Sequence, residues 1–211
     1  QNGLFRTYAY PPQFNSANLS IRSFVNRGPE KVIGSRDGLF YINEATGIVK
    51  SFVKPVLTSD LILTICFYEG EYYIGTYGGG MMVLNPQTLS LKYFTQGDTE
   101  LFQKGHIFCV KPDNRGNLWI GTSQGLFCYN GQTKQIKNFT STNSQLPEGN
   151  VYEVSFDSTG KGWIATETGM CIYDPASQSL RSNVFPEGFV HKDKVRTIYE
   201  DADCLLYTSD A

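Results

Sequence analysis

Residues 113–129 read DNRGNLWIGTSQGLFCY, and the pattern in this segment predicts the fold of the chain. Asp113 opens and Gly116 closes a short turn between two strands, which is the residue chemistry of a type I hairpin turn ending in a left-handed glycine. The pattern returns three times, as VIGSRDGLFY at 32–41, YIGTYGGGM at 73–81 and WIATETGMCIYD at 163–174. The equivalent isoleucines, at 33, 74, 120 and 164, are spaced by 41, 46 and 44 residues. Such a period is typical of a four-stranded propeller blade of about 40–45 residues.

Each repeat divides into four short antiparallel strands. An apolar strand such as 107–110 precedes the Asp-to-Gly turn, a strand such as 119–122 follows it, and two more strands follow the second turn. Gly121 in the second strand has no side chain to pack, which predicts close approach by a neighbouring strand or blade. Because no helical period of 3.6 residues occurs, we predict an all-β fold. The expected architecture is a β-propeller fragment with about four complete four-stranded antiparallel blades, part of an incomplete ring of seven.

The repeat also predicts how the chain is divided, with part-blades at both ends. The expected units are the last strand and loop of a preceding blade at 1–18, blades at 19–60, 61–104, 105–149 and 150–190, the first strand of a truncated blade at 191–203, and a tail at 204–211. The tail can be encoded by a nucleotide sequence that resembles a transposon-end sequencing adapter. We therefore expect the tail to be adapter-derived and non-native; a natural second strand at 205–208 is the alternative.

The composition of the chain excludes some classes of binding partner. The 18 basic and 20 acidic side chains give a net charge of −2, so no basic field for nucleic acid is present. The longest uncharged apolar stretch, 61–68, is far shorter than the ~20 residues that span a bilayer, so we expect no membrane segment in these residues. The five cysteines show no C-x-x-C pair, and we expect them to be small buried apolar residues without a disulfide framework.

No motif predicts catalysis or a metal site. Glycoside hydrolysis needs two convergent carboxylates, and the candidate glutamates at 148, 153, 167 and 187 are scattered along the chain. His106 and His191 lie two repeats apart, in different blades, which does not predict a metal site. We therefore expect no catalytic residue, no metal and no cofactor, and a chain that is not an enzyme.

The motif at 113–129 resembles the two-component regulator propeller repeat, and the resemblance covers roughly residues 19–201. The other copies depart from it: the first lacks the tryptophan and has Ser35, the second has Tyr73 for tryptophan, and the fourth has Ala165 for glycine. In that family, such blades form the periplasmic sensor regions of bacterial hybrid two-component systems, especially in Bacteroidetes. The resemblance implies a parent chain with further propeller blades, a membrane span and a histidine kinase, a homodimeric full-length protein, and sensing of oligosaccharides.

Propeller topology predicts where a ligand would bind. The loops joining the second and third strands and the loops joining consecutive blades emerge on one face, at the mouth of the central channel. Aromatic rings beside polar hydrogen-bonding groups suit a hydroxyl-rich sugar. The predicted ligand-binding residues are Arg36, Tyr77, Gln124, Glu167, Phe102, His106, Asn150 and His191.

The function that follows is a non-catalytic, periplasmic sensor propeller that binds an oligosaccharide and relays the signal to a kinase elsewhere in the chain. A protein-interaction scaffold is one alternative. A propeller lyase or glycoside hydrolase is another, and turnover of a glycan would distinguish it from the sensor.

Overall fold

The computed structural model describes residues 20–97, 99–182, 194–200 and 206–209. Four antiparallel sheets follow one another along the chain, and each holds four strands in sequential order. The first comprises β1 (Ile21–Arg27), β2 (Glu30–Ser35), β3 (Leu39–Asn43) and β4 (Ile48–Phe52), and the second β5 (Ile62–Tyr68), β6 (Glu71–Thr76), β7 (Met81–Leu84) and β8 (Leu91–Tyr93). The third comprises β9 (Ile107–Pro112), β10 (Asn117–Thr122), β11 (Gly125–Asn130) and β12 (Ile136–Phe139), and the fourth β13 (Val151–Phe156), β14 (Gly162–Thr166), β15 (Gly169–Asp174) and β16 (Ser179–Arg181). The four sheets are propeller blades in an unclosed ring, which confirms the predicted fold class.

A fifth, two-stranded sheet follows the fourth blade. It pairs β17 (Thr197–Glu200) antiparallel with β18 (Leu206–Ser209). The backbone of β18 thus lies where a second strand of the next blade is expected, while the adapter origin of the tail stays a prediction about its codons. The strand predicted within 1–18 lies outside the described residues.

One short helix, α1 (Thr99–Lys104), corrects the expectation of a chain without helix. It lies between β8 and β9, with Glu100 in its first turn and Lys104 in its last, charges that favour the two ends of a helix dipole. Six residues are too few to display a helical period in the sequence. The helix carries Leu101 and Phe102, both fully buried, into the core between the second and third blades.

The glycine of the repeat lies against the next blade, as predicted. A Cβ placed on Gly34 would lie 2.5 Å from the Ile62 side chain, and one on Gly121 would lie 2.7 Å from the carbonyl oxygen of Val151. Ile62 and Val151 begin the innermost strands of the second and fourth blades, β5 and β13, and are fully buried. The fourth copy has Ala165 at this position, also fully buried. The repeated glycine therefore sets how closely consecutive blades pack.

Side chains of the innermost strands also hydrogen-bond the backbone of the next blade. The acceptors are Ser23 Oγ for the Ile65 amide (2.9 Å), Thr64 Oγ1 for the Val110 amide (3.3 Å) and Glu153 Oε2 for the Ile198 amide (3.2 Å). Ser23, Thr64 and Glu153 occupy the same position of the repeat. In each case the bond ties the innermost strand of one blade to the innermost strand of the next.

The hydroxyl that follows the motif glycine closes the second hairpin of each blade. It donates a hydrogen bond to a glycine carbonyl at the far side of the turn, and its residue is fully buried. The four bonds are Ser35 Oγ to Gly38 (3.1 Å), Thr76 Oγ1 to Gly80 (2.9 Å), Thr122 Oγ1 to Gly125 (2.8 Å) and Thr166 Oγ1 to Gly169 (2.8 Å). Serine and threonine are interchangeable here because only the hydroxyl is used.

The aspartate that opens the first hairpin ties the turn to the tryptophan six residues later. Asp113 Oδ1 accepts from the backbone amides of Arg115 and Asn117, both at 2.8 Å. Its Oδ2 accepts from Trp119 Nε1 at 2.9 Å. The same indole bond, 2.9 Å, joins Trp163 to Asp157 in the fourth blade. The spacing of aspartate and tryptophan is thus a structural element of the hairpin.

Asp157 should make the fourth blade sensitive to acid. Partial burial alone would raise its pKa, but hydrogen bonds from Thr159, Trp163 and the Lys161 amide outweigh burial and lower the pKa below the ordinary value of 3.8. A carboxylate with a lowered folded-state pKa stabilises the fold above its unfolded pKa of about 3.9, and this stability is lost as the pH falls through the folded-state value. Asp157→Asn is therefore expected to cost about 1–2 kcal/mol at pH 7 and progressively less below about pH 4.

Urea unfolding of the chain and the variant from pH 7 down to pH 2 measures this difference. Glu148→Gln, at an exposed residue, is the control and should leave stability and its pH dependence unchanged. A gap between Asp157→Asn and the parent chain that stays constant across this range would contradict the prediction.

Candidate functional site

One extra residue interrupts the pairing of the innermost strand in all four blades. In the third blade Ile107 pairs with Thr122 and Cys109 with Gly121, so Phe108 has no partner on β10. The extra residues of the four blades are Arg22, Leu63, Phe108 and Tyr152. Such a β-bulge bends its strand and redirects a side chain, and bulges are common beside functional sites.

The four bulge residues line a single cavity, together with Ser20, Ile21 and Arg196. The volume of the cavity is about 430 Å³, within the range of small-molecule sites. Arg196 follows the buried Val195 as Phe108 follows the buried Ile107, so it occupies the equivalent position of the next repeat. We call Arg22, Leu63, Phe108, Tyr152 and Arg196 the channel ring.

Aromatic side chains continue from the channel ring onto the neighbouring turns. Phe108 and Tyr152 meet edge to face, with ring centroids 5.2 Å apart. His106 lies 6.2 Å from Phe108 and stacks on Tyr77 at 4.0 Å, and about half of the Tyr77 surface is exposed. A path of rings therefore connects the turn between β6 and β7 with the innermost strands of the third and fourth blades.

Polar groups surround the Tyr152 end of this path. Asn150 Nδ2 donates to the Tyr152 hydroxyl (3.2 Å) and to Glu167 Oε2 (3.1 Å), and the Tyr152 hydroxyl donates to Glu167 Oε1 (3.4 Å). Lys194 Nζ lies 4.0 Å from Glu167 Oε1 and 5.2 Å from the centroid of the Tyr152 ring. The network holds the Tyr152 hydroxyl in place while its ring lines the cavity. The arrangement can stack on a flat apolar face and hydrogen-bond polar groups around it.

The structure brings together part of the predicted ligand-binding set. Tyr77, His106, Asn150 and Glu167 contact one another or the channel ring. Arg36 and Gln124 are exposed on the corresponding turns of the first and third blades, and neither lines the cavity. His191 lies outside the described residues. Ligand binding by these residues stays a prediction.

Phe102 occupies a different environment from the predicted one. Its side chain is fully buried in α1, with ring centroids 5.0 Å from Phe94 and 5.4 Å from Phe127. A loop at this point would have exposed the ring, but the helix turns it into the core. Phe102 therefore supports the packing of the second and third blades, and its ring is not exposed on the face where the sequence analysis placed it.

Sequence analysis missed the channel ring itself. In the sequence, Phe108 and Tyr152 look like ordinary residues of apolar strands, and no motif points to Arg22 or Arg196. The signal available was the repeat: the five positions 22, 63, 108, 152 and 196 are spaced by 41, 45, 44 and 44 residues, like the motif. Each follows a β-branched residue at the start of a first strand, which is where the bulge occurs.

The described part of the chain contains no group of three or more His, Cys, Asp or Glu side chains placed to hold a metal ion. Burial raises the pKa of the Cys66, Cys109, Cys128 and Cys171 thiols to about 12, which disfavours the thiolate that metal binding or redox chemistry requires. Within the described ranges, α1 is far too short and polar to cross a bilayer.

One named repeat family is similar to part of the third blade. The family described as two-component regulator propeller matches residues 102–124. No curated protein sequence matches the chain at a significant level.

Solved structures share the fold over most of the chain. The extracellular domain of the hybrid two-component system BT3049 from B. thetaiotaomicron is 24% identical with a TM-score of 0.73, over 90% of this chain and 26% of that one. The extracellular domain of the hybrid two-component system BT4673 from the same organism is 19% identical with a TM-score of 0.73, over 94% of this chain and 27% of that one. The computationally designed Ika8 protein is 13% identical with a TM-score of 0.63, over 90% of this chain and 55% of that one.

The 211 residues thus span about a quarter of the length of the two bacterial structures. The resemblance based on the motif at 113–129 is confirmed. The chain has the blade architecture of those extracellular domains, and residues 102–124 are similar to the two-component regulator propeller repeat.

Proposed function

We propose that these blades belong to the extracytoplasmic, periplasmic sensor region of a hybrid two-component signalling protein, and that the channel ring binds an oligosaccharide. The matched repeat family and the two bacterial structures support the sensor assignment. The observation that carries the ligand assignment is the channel ring, in which a bulge in every blade directs a side chain to one cavity.

The chemistry of the cavity suits a sugar. Phe108 and Tyr152 offer ring faces for the apolar face of a pyranose, and Asn150 and Glu167 offer hydrogen-bonding groups beside them. In the described residues, Glu167 is the carboxylate of this network, and it is already engaged by Asn150, Tyr152 and Lys194. A single engaged carboxylate favours binding over hydrolysis, which needs two.

Binding at this place offers a route to signalling. A ligand that touches the channel ring contacts the innermost strands of several blades at once. If it prefers one arrangement of the blades, it shifts the population toward that arrangement, and the shift can be passed to a histidine kinase in the parent chain and across a homodimer.

The test is calorimetric titration of a panel of soluble oligosaccharides into the complete extracellular region that contains these residues. Phe108→Ala and Tyr152→Ala are each expected to weaken binding at least about tenfold, because each removes a stacking surface worth more than about 1 kcal/mol. Tyr93→Ala removes an exposed aromatic of β8 that does not line the cavity and serves as the control. Binding that is equal in all three variants and the parent protein, or no binding by any saccharide, would overturn the proposal.

A further inference from the structure

We infer that the channel ring selects an acidic saccharide, with a carboxylate or sulfate held by Arg22 and Arg196 and a sugar face stacked on Phe108 and Tyr152. The inference rests on the proposed function and names the class of ligand for the same site. It is carried by the placement of the two arginines and by the charges around them.

The two arginines occupy the two ends of the described arc of the channel ring. Arg22 is the bulge residue of the first blade and Arg196 is the equivalent residue before β17, with Leu63, Phe108 and Tyr152 between them in chain order. Both side chains are exposed and line the same cavity. The guanidinium carbon of Arg196 lies 5.2 Å from the centroid of the Tyr152 ring, so charge and stacking surface are adjacent.

Two acidic groups in the described part of the fourth blade are engaged by other partners. The Glu167 carboxylate accepts from Asn150 and lies 4.0 Å from Lys194 Nζ. The Glu153 carboxylate accepts from the Ile198 amide and lies 3.8 Å from Lys111 Nζ. Among the described residues, neither Arg22 nor Arg196 forms an ion pair with a carboxylate.

Within the described ranges, two guanidinium groups line one cavity without an ion pair between either of them and a carboxylate, and this arrangement favours an anion. A guanidinium binds a carboxylate or sulfate through two parallel hydrogen bonds, which a neutral sugar hydroxyl cannot reproduce. A neutral oligosaccharide would use only the aromatic and amide groups of the site. The ring therefore discriminates by charge as well as by shape.

The matched probes are an oligogalacturonide and its methyl ester of the same length, together with equivalent pairs of other uronic-acid oligomers and their carboxyl-reduced forms. Each pair keeps the sugar faces and removes the negative charge of the carboxylate, and the two kinds of neutral partner, ester and alcohol, differ from the acid in different ways. We expect the acidic member to bind at least about tenfold more tightly than its neutral partner, and we expect this preference to shrink as the salt concentration rises.

The variants Arg22→Gln and Arg196→Gln should each weaken binding of the acidic member about tenfold and leave the neutral member unchanged. Arg196→Lys should retain part of the preference, because it keeps the charge but loses the two-bond geometry. Arg115→Gln is the control, at an exposed arginine on the turn between β9 and β10, and it should have no effect. Unchanged melting temperatures show that the variants are folded.

The outcomes separate this inference from the proposed function. Equal affinity for both members of each pair, unaffected by the arginine variants but lost in Phe108→Ala, would overturn the acidic ligand and leave the saccharide sensor standing. No binding by either member of any pair, and none by the neutral panel, would overturn both.

Discussion

A Gly121→Ala variant is expected to lose about 2–3 kcal/mol of folding free energy, because a methyl group has no room between the third and fourth blades. A Cβ at this position would lie 2.5 Å from Cys109 Sγ and 2.7 Å from the Val151 carbonyl oxygen. That oxygen belongs to the backbone of β13, so it moves only if one blade shifts against the other. For a chain of this length the melting temperature should fall by about 5–10 °C, which circular dichroism measures directly.

Gly162→Ala is the matched control for this change. Its new Cβ would lie 3.0 Å from the Phe156 ring and 3.3 Å from Tyr173 Cβ, contacts within one blade that side-chain adjustment can relieve. We expect it to cost less than about 1 kcal/mol. The fourth copy already carries Ala165, so the prediction concerns the particular neighbours of Gly121 and not alanine at this position in general. A Gly121→Ala variant as stable as Gly162→Ala would show that inter-blade spacing does not depend on this glycine.

The blades could be predicted because their signals are local and repeated. The Asp113 and Asp157 turns, the hydroxyls such as Thr122 and the glycine of each second strand act over a few residues, and the structure shows a direct contact for each. Four copies of one pattern, spaced by 41 to 46 residues, then predict a propeller, because that arrangement packs the blades against one another. Helix α1 could not be predicted from the sequence, because a single six-residue segment neither repeats nor spans enough turns to show a helical period.

The candidate site was harder to predict because its defining feature is a register shift. A bulge adds one residue to a strand without changing its composition, so Phe108 and Tyr152 look like ordinary apolar strand residues. Propeller topology points to the turns, and Tyr77 and Glu167 do lie beside the site, but the side chains that line the cavity come from the innermost strands. Phe102 shows the reverse error, since an aromatic residue in a presumed loop turned out to be part of the core.

A Trp119→Ala variant is expected to lose about 3–5 kcal/mol, the cost of removing a large, fully packed aromatic side chain. Trp119 is 1% exposed, and its ring lies 4.5 Å from Tyr173 and 5.8 Å from Phe139, so it packs the third blade against the fourth. Trp119→Phe keeps an aromatic ring there but removes the indole bond to Asp113, and we expect a cost of about 1–2 kcal/mol. Urea unfolding followed by fluorescence measures both, because the chain has two tryptophans and each variant retains Trp163 as the probe.

The comparison of the two variants shows which property of Trp119 the fold requires. If packing between blades dominates, the phenylalanine variant stays close to the parent chain and the alanine variant does not. If the two variants are equally unstable, the bond to Asp113 carries the effect, and Asp113→Asn should then match them. The half-buried Trp163 makes the same kind of bond to Asp157, so Trp163→Phe should cost about as much as Trp119→Phe. If the two phenylalanine variants cost the same, the tryptophan stabilises the hairpin of its own blade through its bond to the aspartate. The spacing between the third and fourth blades then depends on Gly121, two residues after Trp119.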